Sequence, residues 1–241
     1  MGPTPLTEPF LRHWITHLAS SHDITMKLVD PNFLCKISYA TRDTIPPLSP
    51  TFSSDTYQVC RATDADIEEM IPMYVDFVEG VMHSTIPQEK AREVLRIAAN
   101  RNRLWFVCYQ DPNQPATSSK IMAGFIRVGR DTPKSISIMN VYVSPAFRKK
   151  GIAEALVRAV TRFYLGAKPL GFDYQGDELL QPKDEVCLNV TDPGAERVYI
   201  RSGFQFEGDP VDATTGMKRW FPATYFEVKL VDRKEDKKGD P

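Results

Sequence analysis

Residues 141–153 read VYVSPAFRKKGIA, an apolar strand followed by a turn with three cations and a glycine and, directly after it, the start of a helix. The first amides of a helix lack partners within it and lie at the positive end of its dipole, so this pattern favours a bound anion. Gly151 lets the backbone come close to a ligand, and Arg148, Lys149 and Lys150 add positive charge. The stretch therefore predicts a diphosphate site built largely from main-chain nitrogens.

The composition is that of an ordinary folded protein. The 241 residues are 42% hydrophobic and 25% charged, which allows a packed core in one large domain or two small ones. A net charge of −1 gives no general positive field for nucleic acid. The sequence has no run of about 18 apolar residues to span a membrane, and its N-terminus lacks the profile of a secretory signal. We expect neither nucleic acid nor a membrane as a partner.

The four cysteines are scattered along the chain and form no Cys-x-x-Cys pair, which argues against a zinc site or a disulfide scaffold. Most of them lie in or beside apolar strand-like runs, as buried free thiols do. We expect no metal site and an intracellular, cytoplasmic location. The cysteines are Cys35, Cys60, Cys108 and Cys187.

Strand and helix patterns alternate from residue 57 onward and predict a mixed α/β domain. Thr63 can cap a helix with apolar residues at helical spacing up to Val78, and Pro72 inside it predicts a kink or a break. Asp192 caps a short helix that ends before Gly203. The expected strands cover 57–61, 104–109, 121–128, 135–143, 185–190, 204–207 and 225–230, and the other helices cover 87–100 and 152–165.

The sequence predicts three parts. Residues 1–56 form an N-terminal extension and linker packed on the core, 57–230 form the main domain, and 231–241 form a charged, frayed tail. Within the main domain, residues 166–184 read as a long irregular loop. Glu154 and the arginine four residues later are expected on the outer face of the helix after the turn.

Two motifs in this order resemble the acyl-CoA-binding core of the GCN5-related N-acetyltransferase (GNAT) superfamily. The first is RKKGIA at residues 148–153, which fits the family pattern Gln/Arg-x-x-Gly-x-Gly/Ala. The second is LNV at 188–190, followed by AERVY at 195–199 and by GF at 203–204. The resemblance covers about residues 57–230. It implies the GNAT acyl-CoA N-acyltransferase fold, an α/β fold with a mixed, mostly antiparallel central sheet, splayed strands and flanking helices.

The resemblance also implies acetyl-CoA as the acyl donor and assigns roles to residues. The amides of 148–153 would hold the pyrophosphate, and the backbone of Val141 and Val143 would pair with the pantetheine arm. Tyr199 would be the catalytic acid that protonates the leaving thiolate, a role that suits a phenol with an ordinary pKa of about 10. The implied cofactor-binding set is Val141, Tyr142, Val143, Arg148, Lys149, Lys150, Gly151, Ile152, Ala153 and Asn189.

The expected function is transfer of an acetyl group to a primary amine by direct attack while both substrates are bound. No cysteine lies at a motif position, so a covalent acetyl-enzyme has no support. The histone-modifying relatives carry a glutamate base where this chain has Ser137, which favours a small amine or amino-acid-like acceptor over a histone lysine. A protein or peptide N-acetyltransferase and a non-catalytic acyl-CoA-binding regulatory module are the alternatives, and a homo-oligomer is compatible with the sequence.

Several other residues allow a functional and a structural interpretation. Asp76 and Glu79 fit a solvated helix face better than a pocket for the substrate amine, and His83 fits a surface residue better than a base. Glu185 fits either a strand edge or the acceptor cleft. Asn140 either binds a substrate or joins strands, while Phe172 and Tyr174 fit loop packing better than an acceptor site.

Overall fold

The computed structural model describes residues 2–29, 33–48, 56–111, 113, 120–172, 174, 181–212 and 215–231. No helix in these ranges combines the length and the apolar character that crossing a bilayer requires. The helices are α1 (Thr4–His22), α2 (Ile67–Met82), α3 (Gln88–Asn100), α4 (Ile152–Tyr164) and α5 (Pro193–Arg201). The strands are β1 (Gly2–Pro3), β2 (Met26–Leu28), β3 (Phe33–Ala40), β4 (Tyr57–Arg61), β5 (Leu104–Tyr109), β6 (Ile121–Gly129), β7 (Ser135–Val143), β8 (Glu185–Val190), β9 (Trp220–Tyr225) and β10 (Val228–Leu230).

The chain divides into two compact units, Met1–Ile37 with Pro210–Pro241 and Ser38–Asp209. The division differs from the domain boundaries expected after residues 56 and 230. In the second unit the residues that follow Ser38 pack on α4, because Arg42 Nε donates a 2.6 Å hydrogen bond to the carbonyl of Leu165. Most of the predicted tail (232–241) and the end of the predicted linker (49–55) lie outside the described residues.

In the first unit, β1 pairs antiparallel with β9 and β2 pairs antiparallel with β10. The predicted closing strand over 225–230 is not one strand: β9 ends at Tyr225, and β10 begins at Val228. The helix α1 packs on β2 and β9, and it leaves Leu6, Phe10 and Trp14 exposed at four-residue spacing.

In the second unit, five strands follow the order β8-β7-β6-β5-β4, antiparallel throughout except for the parallel pair β7 and β8. One face of this sheet packs on α4, around Trp105, Leu156 and Phe163. The other face packs on α2 and α3, around Met70 and Phe125. The predicted mixed α/β fold with a mostly antiparallel sheet is confirmed.

A β-bulge in β7 changes which face its side chains occupy. Ile138 pairs with Val128 of β6 and Asn140 pairs with Arg127, so Met139 is an extra residue. Before the bulge, Ile138 faces the α4 core; after it, Tyr142 faces the α2 core, although strict alternation would put the two on one face. A bulge also bends and twists its strand.

The parallel pair β7 and β8 separates at this same bulge. The paired residues run from Ser135 with Glu185 to Ile138 with Leu188, and the strands diverge beyond them. The predicted splayed strands are confirmed, and the splay leaves a cleft between the C-terminal ends of β7 and β8.

The structure has no break at Pro72 and no strand over residues 204–207. The helix α2 runs through Pro72 without a break, because buried neighbours such as Met70 and Tyr74 hold it against the sheet and offset the proline penalty of about 3 kcal/mol. Residues 204–207 are not a strand. They enter a turn in which the Phe206 amide donates to Asp209 Oδ2 at 2.7 Å.

Candidate active site

The turn between β7 and α4 exposes the start of the helix. Gly151 has φ 77° and ψ 0°, a conformation that a side chain disfavours, and Lys149 also has a positive φ of 63°. The Ala155 amide donates to the carbonyl of Gly151 at 3.0 Å, so the amides of residues 152–154 precede the hydrogen bonds of the helix. A cavity of about 240 Å³ opens at this point, called here the turn cavity. It is lined by Val143, Phe147, Arg148, Lys149, Gly151, Ile152, Ala153, Glu154, Val198 and Arg201.

Two of the three cations of the turn reach this cavity. Arg148 and Lys149 line it, and Arg148 Nε donates to the carbonyl of Val143 at 3.2 Å. Lys150 does not line it, because its Nζ lies 4.9 Å from the centre of the Tyr109 ring and 3.7 Å from Asp111 Oδ2. The positive charge next to the helix start therefore comes from Arg148 and Lys149.

An ion-pair cluster around Glu154 lies at the turn cavity. The prediction that Glu154 lies on the outer face of α4 is wrong. Glu154 is only 8% exposed, since α5 covers the face of α4 that was expected to be outside. Its carboxylate accepts a 2.6 Å hydrogen bond from Arg201 Nε and lies 3.1 Å from Arg158 Nη2. Arg201 was missed because no local pattern indicates that α5 packs on α4.

A second cavity of about 960 Å³, called here the cleft, lies where β7 and β8 diverge. Arg148 lines both cavities, so the two are neighbours at this side chain. Every predicted site residue except Lys150 lines one or the other. The cleft is lined by Asp76, Phe77, Glu79, Gly80, Val81, Met139, Asn140, Val141, Tyr142, Pro145, Arg148, Asn189, Val190, Thr191, Asp192, Ala195 and Tyr199.

Tyr199 is the buried phenol of the cleft. It is 8% exposed, and its ring packs edge-on against Phe204 with the ring centres 6.0 Å apart. Burial, with a smaller contribution from the charge of Asp192, raises the pKa of Tyr199 to about 12. The phenol therefore keeps its proton at neutral pH and can donate it.

The cleft is also lined by three carboxylates, those of Asp76, Glu79 and Asp192. Asp76 and Glu79 are exposed, as expected for a solvated helix face, and that face borders the cleft. Asp76 Oδ2 accepts a hydrogen bond from the Tyr142 hydroxyl at 3.3 Å. Asp192 Oδ2 accepts from the Ala195 amide at 2.7 Å and caps α5, as predicted. Burial raises the pKa of Tyr142, the charge of Asp76 raises it further, and Arg148 opposes the shift. Sequence spacing places Asp76 and Glu79 on one face of α2 but does not say what that face meets.

The remaining candidates have structural positions. His83 ends α2 and does not line the cleft, and Glu185 lies opposite Ser135 at the other end of β8. Phe172 and Tyr174 pack against Trp105, each with ring centres 5.9 Å apart. Asn140 joins strands, because its Oδ1 accepts a 2.6 Å hydrogen bond from Arg127 Nε, and it also lines the cleft.

Residues 101–206 match the family model of the acetyltransferase (GNAT) domain. This stretch is similar to a GNAT domain. The matched residues contain the turn, α4, β8 and α5, so the resemblance seen in the two motifs is confirmed, and the match supports an acetyltransferase. The strand β4 and the helix α2 precede the matched residues, so Asp76 lies outside them.

Solved structures of GNAT-family acetyltransferases are similar to this chain. A GCN5-related N-acetyltransferase from Sphaerobacter thermophilus has a TM-score of 0.50 at 16% identity, and the match covers 89% of this chain and 55% of that one. A GNAT-family acetyltransferase from Bacillus anthracis gives 0.45 at 16% identity over 74% and 96% of the two chains. One from Bacillus cereus gives 0.42 at 13% identity over 70% and 97%. Identities this low show the fold alone, and no curated protein sequence matches the chain.

Proposed function

We propose that the protein transfers an acetyl group from acetyl-CoA to a primary amine, by direct attack while both substrates are bound. One observation carries this proposal. The turn cavity holds the amides at the start of α4, the cleft holds the phenol of Tyr199, and Arg148 lines both. A CoA thioester has its diphosphate at one end and its reacting carbon at the other, so it needs two neighbouring sites of this kind.

The turn cavity suits the diphosphate. The amides of residues 152–154 and the helix dipole attract an anion, and Arg148 and Lys149 supply charge beside them. The close approach of backbone and ligand depends on the left-handed conformation of Gly151.

The diverging end of β7 suits the pantetheine arm. Beyond Ile138 the edge of β7 that faces β8 no longer pairs with it, so the backbone at Val141 and Val143 can pair with an amide-bearing chain in the manner of an added strand. A backbone amide on this edge can also donate to the thioester oxygen. Such preorganised donors stabilise the oxyanion that forms when an amine attacks a thioester.

Tyr199 supplies the acid for the leaving group. Its phenol is protonated at neutral pH and lines the cleft, so it gives a proton to the sulfur as the carbon–sulfur bond breaks. The cleft of about 960 Å³ has room for a small amine beside it. A peptide N-terminus or a protein lysine would enter the same cleft, and a non-catalytic acyl-CoA-binding module would use the turn cavity alone.

Calorimetry with acetyl-CoA tests the donor site. Gly151→Glu places a side chain and a negative charge against the diphosphate, and we expect no detectable heat of binding. Gly151→Ala is the matched control, because it shares the backbone strain of about 1–2 kcal/mol without the charge. We expect Gly151→Ala to keep measurable affinity, and near-normal binding by Gly151→Glu would refute the site.

Release of free CoA thiol in the presence of a panel of small amines and peptides tests the reaction. Turnover with an amine and a mass increase of one acetyl group on it support the proposed function. Binding that raises the melting temperature without turnover on any amine or peptide would instead identify a binding module.

A further inference from the structure

We propose that Asp76 is the catalytic residue that takes a proton from the acceptor amine, and that Tyr142 is the positioning residue that orients its carboxylate. This inference rests on the proposed function and adds the base that the reaction needs. An amine must lose a proton to become a nucleophile, and a positioned side chain typically accelerates that step by about 10²–10⁴-fold.

The bulge in β7 brings the pair together. Because Met139 is the extra residue, Tyr142 points toward α2 and not toward α4. Its ring packs against Phe77 and Phe125, with ring centres 6.3 Å and 5.8 Å away, and its hydroxyl ends 3.3 Å from Asp76 Oδ2. The aromatic packing fixes the phenol, and the phenol in turn fixes one carboxylate oxygen at the wall of the cleft.

Asp76 is distinguished from the other two carboxylates of the cleft by this hydrogen bond. Asp192 Oδ2 is already used by the Ala195 amide in the cap of α5. Glu79 makes no hydrogen bond or ion pair with any residue that the structure describes, so nothing there holds its carboxylate in one place. Catalysis by a general base requires a fixed distance to the proton, and only Asp76 offers both an orienting partner and a second oxygen to use.

The charges around Asp76 suit a cationic acceptor. Asp76 contacts Tyr142 of β7 and shares the cleft with the charged groups of Glu79 on its own helix, Arg148 of the turn and Asp192 at the start of α5, and with the phenol of Tyr199 further along α5. Three carboxylates therefore share the cleft with one cation. The last turn of α2 carries no basic residue, so the negative end of its dipole adds to this field. An ammonium group is attracted to this wall, where Asp76 can receive its proton.

Acetyl transfer moves protons between the amine, Asp76, Tyr199 and solvent. The ammonium gives one proton to Asp76, and the freed electron pair of nitrogen forms a bond to the thioester carbon. As the tetrahedral intermediate collapses, the carbon–sulfur bond breaks, its electron pair moves to sulfur, and Tyr199 gives sulfur a proton. Nitrogen loses its second proton to solvent, and solvent returns one proton to the Tyr199 phenolate. Asp76 then releases the proton it received, so one proton is released overall.

The test compares Asp76→Asn with Glu79→Gln in the full chain, using the best amine of the panel. The two variants remove the same charge from the same helix and cleft, but only the first removes the oriented oxygen. We expect Asp76→Asn to lower kcat by about 100-fold or more. Glu79→Gln should keep kcat within about twofold of the wild type but raise KM for the amine, because it removes charge that attracts the ammonium and no oriented oxygen. Both should keep the wild-type affinity for acetyl-CoA.

The pH profile separates a base from a structural role. With the wild type, kcat/KM should be flat near neutral pH, because the enzyme binds the ammonium and Asp76 takes its proton. With Asp76→Asn it should rise tenfold per pH unit up to the pKa of the amine, because only amine that is already neutral reacts. Tyr142→Phe, which keeps the aromatic packing, should lower kcat less than Asp76→Asn does.

Equal losses of kcat in Asp76→Asn and Glu79→Gln would overturn the assignment of Asp76 as the base. A pH profile of kcat/KM that stays flat in Asp76→Asn would overturn it as well. If either result is found while the wild-type protein binds acetyl-CoA and turns over an amine, the proposed function is still supported. If the wild-type protein turns over no amine, the proposed function is refuted, and the assignment of Asp76 is refuted with it.

Discussion

Burial sets the protonation state of Tyr199. Its phenol lies in the α4 core against Phe204 and at the wall of the cleft. An exposed tyrosine has a pKa of about 10, whereas burial raises that of Tyr199 to about 12. The proton is therefore held through the whole working range and is available for a leaving thiolate.

We expect Tyr199→Phe to lower kcat by about 10–100-fold, since it removes an acid and keeps the ring packing. The affinity for acetyl-CoA, measured by calorimetry, should change by less than turnover does. Because the raised pKa lies above the assay range, the wild-type activity should show no basic limb from this phenol below about pH 10. Unchanged turnover in Tyr199→Phe would remove Tyr199 as the acid.

The helices α4 and α5 are joined by a cluster that no single element reveals. Glu154 lies in the first turn of α4, where a carboxylate is favoured by the helix dipole. It accepts from Arg201 Nε, while Arg158 Nη2 donates to the carbonyl of Arg201 at 2.6 Å. The contact fixes α5, and with it the position of Tyr199, relative to the start of α4.

Glu154→Gln should lower the free energy of unfolding by about 1.5–3 kcal/mol, the value of hydrogen bonds to charged groups, and lower the melting temperature with it. Glu68→Gln is a control of the same chemistry, because its partner Arg92 pairs with it at 2.6 Å on the exposed surface, and such pairs contribute little. We expect Glu68→Gln to melt close to the wild type. Equal melting temperatures for Glu154→Gln and the wild type would show that the cluster is not stabilising.

At the scale of the whole molecule, the four cysteines can be used to measure burial and the absence or presence of disulfides. All four are free thiols, with Cys35 buried and the others half-buried. Burial is the first cause of a raised pKa in each, and Cys108 reaches about 11. A raised pKa keeps the thiol protonated at neutral pH, and the thiol form is the unreactive one.

We expect a thiol reagent at pH 7.5 to label native protein slowly and to count four thiols after denaturation in guanidinium chloride. Labelling of the native protein should become faster as the pH rises, because the thiolate of Cys108 forms only as its pKa of about 11 is approached. Fewer than four thiols after denaturation would reveal a disulfide, and rapid labelling of all four in the native protein would contradict the burial.

The sequence alone determined the elements around the turn. Alternating apolar residues, the glycine at 151 and the Asp192 cap are local signals, and they gave β7, α4, β8 and α5 within a residue or two. All the predicted site residues except Lys150 line the turn cavity or the cleft, since backbone amides at a helix start act by position and not by distant contacts.

Long-range packing determined the other features of the site, namely the opening of the cleft and the directions of several side chains. The extra residue Met139 is invisible in an unbroken strand pattern, yet it turns Tyr142 toward Asp76 and opens the cleft. Burial of Glu154 by α5 and the turning away of Lys150 toward Tyr109 likewise involve residues distant in sequence. Periodicity fixes which side chains share a face, whereas the partner that a face meets depends on how strands pair and helices pack.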